Sequence, residues 1–110
     1  MKTQKFSIRM YDGRDSNHLE QIDGELLEKY GVKAIIHKFH FKDSDEFDWR
    51  ITDYFTGMCI FKKNKRKDIL SWFESYYNDE SLTESGKKDR LERLAEVIKM
   101  NTDKYGYANQ

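Results

Sequence analysis

Apolar and polar residues alternate along several stretches of the chain, which is the pattern of β-strands with one buried face. Near the N-terminus, Phe6, Ile8 and Met10 share one face of a predicted strand. Two later stretches are joined at Thr56-Gly57, because a glycine can adopt the positive φ of a hairpin turn. The alternation predicts strands over residues 5–11, 32–41, 49–55 and 58–63.

A helical spacing of apolar residues predicts a first helix that starts at Ser16 or Asn17, either of which could cap it, and ends at about Tyr30. Gly31 then lies where helices often end in a glycine with positive φ. Gly24 weakens the middle of this helix, which leaves two shorter helices as an alternative.

A second predicted helix follows Asn64, a suitable N-cap residue, and ends at about Tyr77. A third follows the polar linker 78–86 and ends before Gly106. Together the elements predict an α+β fold, in which a small antiparallel sheet of three to four strands packs on two to three helices. At 110 residues, the chain fits a single domain over residues 1–110.

The composition favours a folded protein. The chain has 37% hydrophobic and 15% aromatic residues, and the aromatic rings can fill a modest core. Its 20 acidic and 20 basic residues cancel, which argues against a protein that coats nucleic acid through its net charge. The single cysteine, the absence of a signal peptide and the absence of a long apolar run predict a cytoplasmic protein that does not span a membrane.

Positive charge is concentrated in residues 49–77, which carry six basic and three acidic side chains. Most of the basic residues form a cluster at the start of the second predicted helix, a position that normally favours acids. One interpretation is a solvated strand end and first helical turn. The other is an anion site, because N–H groups at a helix start and adjacent cations would bind phosphate or carboxylate groups. This basic cluster consists of Lys62, Lys63, Lys65, Arg66 and Lys67.

An acidic loop precedes the strand predicted at residue 49, and its acids are Asp43, Asp45, Glu46 and Asp48. The loop lacks the EF-hand spacing and contains no glycine, so a solvated loop is favoured over a calcium site. The first predicted helix adds a second acidic strip. If both strips faced the same way, they could imitate a nucleic-acid backbone or dock on a basic groove. The second strip consists of Glu20, Asp23, Glu25 and Glu28.

No residue pattern indicates a metal site, a cofactor or catalysis. His37 and His40 are three positions apart on one predicted strand, so their rings point to opposite faces and cannot share a metal ion. Cys59 lies within a predicted strand, where a lone buried cysteine usually acts as a small apolar residue. The sequence has no G-x-S-x-G, P-loop or dinucleotide-binding motif. We therefore expect a protein that is not an enzyme and needs no cofactor.

The stretches WRITDYFTGMCI and KKNKRKDILSWF, between Trp49 and about Tyr77, resemble a hairpin-then-helix pattern of small orphan proteins from phages and other mobile elements. The resemblance rests on Trp49, on Thr52-Asp53, on the Thr56-Gly57 turn and on the basic entry to the helix. Some of those proteins bind host defence machinery, including CRISPR effectors. The resemblance therefore implies an inhibitor that acts by binding, and it provides no catalytic residue.

Two functions are compatible with these features. The first is a non-enzymatic binding protein, encoded by a phage or mobile element, that docks on a larger protein or nucleoprotein. The basic cluster would be its charged contact, Tyr54 an aromatic anchor and the acidic loop a second contact. The alternative is direct nucleic-acid binding through Lys62–Lys67, which would make affinity fall steeply with salt. A third class, a structural subunit or a homodimer, also stays open, and with it the oligomeric state.

Overall fold

Five consecutive strands form one antiparallel sheet in the computed structural model, which describes residues 3–11, 13 and 16–110. Each strand pairs with the next one along the chain, and two helices follow the last strand. The elements are β1 (Gln4–Tyr11), β2 (Asn17–Lys29), β3 (Val32–His40), β4 (Phe47–Asp53), β5 (Cys59–Lys63), α1 (Arg66–Tyr77) and α2 (Glu84–Tyr105).

α1 covers one face of the sheet because its apolar residues recur every four positions. Ile69, Phe73 and Tyr77 are its buried residues, and they lie on one side of the helix. They pack in a single cluster with Ile36 of β3 and Ile51 of β4, which are cross-strand partners. This cluster is the main hydrophobic core.

The opposite face of the central strands lies against β1 and the first half of β2. β1 pairs with β2 as far as Gly24, whereas β3 pairs with β2 from Glu25 onward. A Cβ atom at Gly24 would lie 2.5 Å from Ile35 Cγ2, so this close approach requires glycine. At its other end, β1 reaches the turn between β4 and β5, where Arg9 N donates to the Gly57 carbonyl at 2.8 Å. β3 and β4 are therefore covered on both faces.

Residues after α2 bind the outer edge of β1. The side chain of Asn109 accepts a hydrogen bond from Ser7 N at 2.9 Å and donates one to the Ser7 carbonyl at 2.8 Å. It also donates to the Tyr54 carbonyl at 2.9 Å, while Ala108 N donates to the Phe55 carbonyl at 2.7 Å. The Asn109 amide thus takes the place that a neighbouring strand would occupy.

The predicted α+β fold and antiparallel sheet are confirmed, but the sheet has five strands instead of three to four. The additional strand is β2, so the prediction of a helix over this part of the chain was wrong. Ile22, Leu26 and Tyr30 are four positions apart, a spacing that suits one face of a helix and equally one face of a strand. Tyr30 and Gly31 have positive φ values of 56° and 82° and form the two-residue turn to β3.

The helix starts also differ from the predicted ones. Lys65, and not Asn64, is the N-cap of α1, and its side chain makes no capping hydrogen bond. α2 begins earlier than expected because the Thr83 side chain accepts a hydrogen bond from Gly86 N. The turn expected after residue 11 falls partly on residues 12, 14 and 15, outside the described residues. Neither of the two helices described is sufficiently long and apolar to cross a membrane.

Candidate functional site

The acidic loop and the first lysines of the basic cluster meet at one end of the sheet. Trp49, near the start of β4, pairs with Lys63 at the end of β5. The loop over residues 41–46 leads directly into β4, so it lies beside the last residues of β5. Together they form an open cleft of about 690 Å³, named here the mixed-charge cleft. Its lining residues are Phe41, Asp45, Glu46, Phe47, Asp48, Lys62, Lys63 and Asn64.

Hydrogen bonds within the loop fix its conformation, and the acidic side chains of the loop are exposed to solvent. Phe41 N donates to the Glu46 carbonyl at 3.0 Å, and the Ser44 hydroxyl accepts from Glu46 N at 3.0 Å. Asp43 has a positive φ of 60°, which aspartate tolerates better than most residues. Asp43, Asp45 and Glu46 are all exposed, as the sequence predicted for a solvated loop. Their charges are therefore accessible to a binding partner.

The four lysines of the basic cluster are not neutralised by acidic side chains of the described residues. Lys62, Lys63, Lys65 and Lys67 are exposed, and in the described ranges none of them forms an ion pair. Lys63 also places Nζ 5.3 Å from the centre of the Phe61 ring. Lys62 and Lys63 are consecutive in β5, so their side chains leave opposite faces of the strand.

Arg66 differs from these lysines because it binds a carboxylate of the protein. Its Nη2 and Nε atoms lie 2.6 Å and 2.9 Å from Glu25 Oε2, and the Glu25 side chain is only 15% exposed. The expectation that Arg66 offers its charge to a partner is therefore corrected, since this arginine joins the start of α1 to β2. Glu25 is likewise removed from the acidic strip expected along the first predicted helix.

Asp48 also differs from the loop acids with which it was grouped. It lies in β4, is buried, and accepts a hydrogen bond from Arg50 Nε at 2.8 Å. The Arg50 guanidinium in turn lies 3.7 Å from the centre of the Phe39 ring. The expectation of a solvated Asp48 is therefore corrected, and its carboxylate mainly holds Arg50 in place.

Tyr54 lies at the far end of β4 from the basic cluster. β4 runs from the mixed-charge cleft to the turn that contains Tyr54, so the proximity expected between this ring and the lysines is not observed. The ring is half-buried, its hydroxyl donates to the Gln110 carbonyl at 3.0 Å, and Lys33 Nζ lies 4.0 Å from its centre. These contacts make Tyr54 part of the fold around the chain's last residues.

The histidines do not come together. His37 is buried, its Nδ1 donates to the Lys38 carbonyl at 2.9 Å, and its Nε2 accepts from the Thr52 hydroxyl at 2.7 Å. Burial lowers the pKa of His37, and the nearby Arg50 lowers it further. His40 is exposed. Across the described residues, no group of three or more histidine, cysteine or acidic side chains could hold a metal ion.

Two further expectations were incorrect. Cys59 is exposed at the start of β5, so it does not serve as a buried apolar residue. The second acidic strip does not exist as a helical face, because β2 is a strand. Two of its acids have partners at the surface, where Glu20 Oε1 lies 2.9 Å from His18 and Asp23 Oδ1 lies 2.8 Å from Lys5.

Asp53, at the end of β4, is only 3% exposed and was not among the candidate residues predicted from the sequence. Its Oδ2 atom accepts a hydrogen bond from Thr56 N at 2.7 Å, and burial raises its pKa. The sequence did contain a signal for this buried acid. Asp53 lies on the same face of the predicted strand as Trp49 and Ile51, and that face is apolar. An acid at such a position is uncommon and marks a buried polar site.

The chain matches no protein-family model, no curated protein and no solved structure.

Proposed function

We propose that this protein is a non-enzymatic binding protein that docks on a larger protein or nucleoprotein through the mixed-charge cleft. The observation that carries the proposal is that Asp45 and Glu46 line the same cleft as Lys62 and Lys63. No ion pair joins the two sets within the described chain, so both are free to bind opposite charges of a partner. Complementary charge patterns of this kind provide specificity and fast association.

Two exposed aromatic rings give the cleft an apolar anchor as well. Phe41 and Phe47 are 40% and 42% exposed, which is unusual for phenylalanine on a small protein. Lys38 Nζ lies 4.8 Å from the centre of the Phe47 ring and adds another cation at its edge. Aromatic residues are enriched at the centre of protein–protein interfaces, and polar groups form the rim.

Direct binding of nucleic acid is the weaker candidate. The carboxylates of Asp45 and Glu46 share the cleft with Lys62 and Lys63, and they would repel the phosphates that the lysines attract. Arg66 is already neutralised by Glu25, which reduces the positive charge available for a nucleic-acid backbone. A partner with both basic and acidic groups fits this surface better.

The resemblance to proteins of phages and mobile elements guides the choice of a first partner. A CRISPR-type effector is a nucleoprotein with a positively charged channel and an anionic nucleic acid, so it offers groups of both signs to the two charge sets of the cleft. The protein would then act as an inhibitor in the cytoplasm. The single cysteine suits that compartment.

Affinity capture from a bacterial lysate tests the proposal. Lys62→Glu/Lys63→Glu and Asp45→Lys/Glu46→Lys reverse the two charge sets separately, and each is expected to lose the captured partner. The matched control is Lys88→Glu/Lys99→Glu, because those lysines are 77% and 79% exposed on α2, far along the chain from the cleft. It should retain the partner.

The same capture, repeated after nuclease treatment, separates the two candidate functions. A partner that survives nuclease supports protein docking, whereas a partner lost with the nucleic acid supports the alternative. Equal capture by all the variants would contradict a role for the mixed-charge cleft.

A further inference from the structure

A second cavity lies away from the mixed-charge cleft, between the β4–β5 turn, the end of α1 and the middle of α2. Its volume is about 280 Å³, the share of liquid volume of roughly nine water molecules. One ring with a short chain would fill it. The lining residues are Asp53, Thr56, Met58, Cys59, Ile60, Tyr76, Tyr77, Arg90, Arg93, Leu94, Val97 and Ile98.

The deep end of this cavity carries a polar atom that has no partner. Asp53 is 3% exposed, and its Oδ2 atom binds Thr56 N, but its Oδ1 atom is buried without a hydrogen-bond partner in the described structure. Its neighbour Tyr77 is also buried, and burial raises the pKa of Tyr77 to about 12. A buried carboxylate oxygen without a donor is costly, so a ligand that supplies one is favoured there.

The outer end of the cavity carries a cation that is available for binding. Arg93 is exposed, and in the described residues it has no hydrogen bond or ion pair. Arg90, in contrast, is held in place, because its Nη1 atom donates to the Tyr76 carbonyl at 2.6 Å and lies 3.2 Å from Asp79. Its guanidinium also lies 4.2 Å from the centre of the Tyr76 ring.

The wall between these two ends is apolar. Leu94, Val97 and Ile98 contribute it from α2, and Met58 and Ile60 contribute it from the hairpin. Val97 is 53% exposed although its side chain is purely aliphatic. The cavity is therefore ordered from a buried acceptor, through an apolar middle, to an exposed cation.

We infer that this cavity binds a small aromatic carboxylate that bears a hydroxyl donor at the end opposite its carboxylate. The hydroxyl donates to the Asp53 carboxylate, the ring packs on Leu94 and Ile98, and the carboxylate binds Arg93. A carboxylate is favoured over an ammonium group at the outer end because two arginines line the cavity. A purely apolar ligand would leave Asp53 Oδ1 unpaired. This inference does not depend on the proposed docking function, which uses the opposite end of β4.

Amide NMR titrations of the full chain test the inference with para-hydroxyphenylpropionate as the probe. Saturable shifts are expected at Met58, Ile60, Leu94 and Ile98. Phenylpropionate, which lacks the hydroxyl, should bind about tenfold more weakly, since a hydrogen bond to a charged group is lost. Tyramine, which carries an ammonium in place of the carboxylate, should bind at least about tenfold more weakly as well.

One variant and its control locate the carboxylate. Arg93→Gln should raise the Kd of para-hydroxyphenylpropionate about tenfold, whereas Lys88→Gln, on the same helix but outside the cavity, should leave it unchanged. Both substitutions are at exposed positions, so we expect them to preserve the fold. The inference is overturned if no shift saturates at about 10 mM probe, if the three ligands bind equally, or if tyramine binds most tightly.

Discussion

The guanidinium group of Arg66 donates two hydrogen bonds to one carboxylate oxygen of Glu25, from Nε at 2.9 Å and from Nη2 at 2.6 Å. This contact joins residues 41 positions apart and connects the start of α1 to the bend of β2 next to Gly24. The basic cluster thus contains one arginine that stabilises the fold and four lysines that remain available for binding.

Replacing Arg66 should therefore reduce stability without weakening partner capture directly. Arg66→Gln leaves the Glu25 carboxylate largely buried without its cation, and we expect the free energy of unfolding to fall by about 1–2 kcal/mol. Lys67→Gln, an exposed change in the same helical turn, should alter it by less than about 0.5 kcal/mol. Urea denaturation measures both values, and equal effects would show that the ion pair contributes nothing.

Replacing either of two acids of β4 by asparagine should change the stability of the protein, but in opposite directions. Asp48→Asn removes the charge that binds Arg50, so the free energy of unfolding should fall by about 1–2 kcal/mol. Asp53→Asn removes a buried charge whose Oδ1 atom is unpaired, while its side chain can still accept from Thr56 N. We expect the second variant to be more stable than the wild type by about 1 kcal/mol at neutral pH.

The advantage of Asp53→Asn should also depend on pH. Because burial raises the pKa of Asp53 above its usual 3.8, the folded protein takes up a proton there before the unfolded chain does. The wild type therefore gains stability relative to the variant as the pH falls through the folded pKa towards 3.8. Denaturation curves at neutral and acidic pH check this, and a constant difference would contradict it.

His37 should make the protein less stable as the pH falls below neutral. Burial lowers its pKa below the usual 6.5, so the unfolded chain binds a proton that the folded protein does not. Stability is then lost as the pH drops through 6.5, by at most about 1.4 kcal/mol per pH unit, until the folded pKa is reached.

His37→Gln removes this titration and keeps an acceptor for the Thr52 hydroxyl. As the pH falls from about 7.5 through 6.5, the wild type should lose more stability than the variant, by no more than about 1.4 kcal/mol per pH unit. His40→Gln is the matched control, because His40 is exposed on the same strand. The same pH dependence in the wild type and in His37→Gln would rule out this role for the histidine.

Two glycine-to-alanine changes should have opposite effects on stability. Gly24→Ala places a methyl group 2.5 Å from Ile35 Cγ2, and we expect a loss of about 2–3 kcal/mol as the strands are forced apart. At Gly86 in α2, the nearest atom to an added Cβ would be Leu82 Cβ at 3.4 Å. Gly86→Ala should therefore gain about 0.5–1 kcal/mol through helix propensity. Thermal unfolding followed by circular dichroism compares the two variants.

The Asn109 side chain should contribute more to the free energy of unfolding than any other side chain near residue 110. Asn109→Ala removes three hydrogen bonds to the backbone of Ser7 and Tyr54, and we expect a loss of about 2–3 kcal/mol. Gln110→Ala is the control, because Tyr54 binds the backbone carbonyl of Gln110 and not its side chain. Hydrogen exchange at Ser7 N should accelerate only in the first variant.

Local patterns in the sequence were sufficient for most elements of the fold. Alternation and the Thr56-Gly57 turn predicted the strands β1, β3, β4 and β5. A helical spacing of apolar residues predicted α1, and those residues are Ile69, Leu70, Trp72, Phe73, Tyr76 and Tyr77. The prediction failed at β2, where Ile22 and Leu26 suit both periods. Gly24 was the residue that favoured a strand over a helix. A glycine would only weaken a helix, whereas in β2 it allows the close approach of Ile35.

The contacts of the candidate sites could not be read from the sequence. Whether Lys62 lies beside Asp45 depends on the pairing of β4 with β5, and the partner of Arg66 lies in an element whose type was predicted wrongly. The exposed lysines and the loop acids were identified by composition alone. The burial of Asp53 could not be predicted without knowing which face of β4 the helices cover.

The bond between Ser7 and Asn109 spans 102 positions. A ribosome that adds about 5–20 residues per second therefore exposes the first residue roughly 5–20 s before the second. During that interval the outer edge of β1 has no amide to saturate it, and it can recruit strands from neighbouring nascent chains. The risk of wrong strand pairing at this edge should thus be greatest before Asn109 is synthesised and folds back on Ser7.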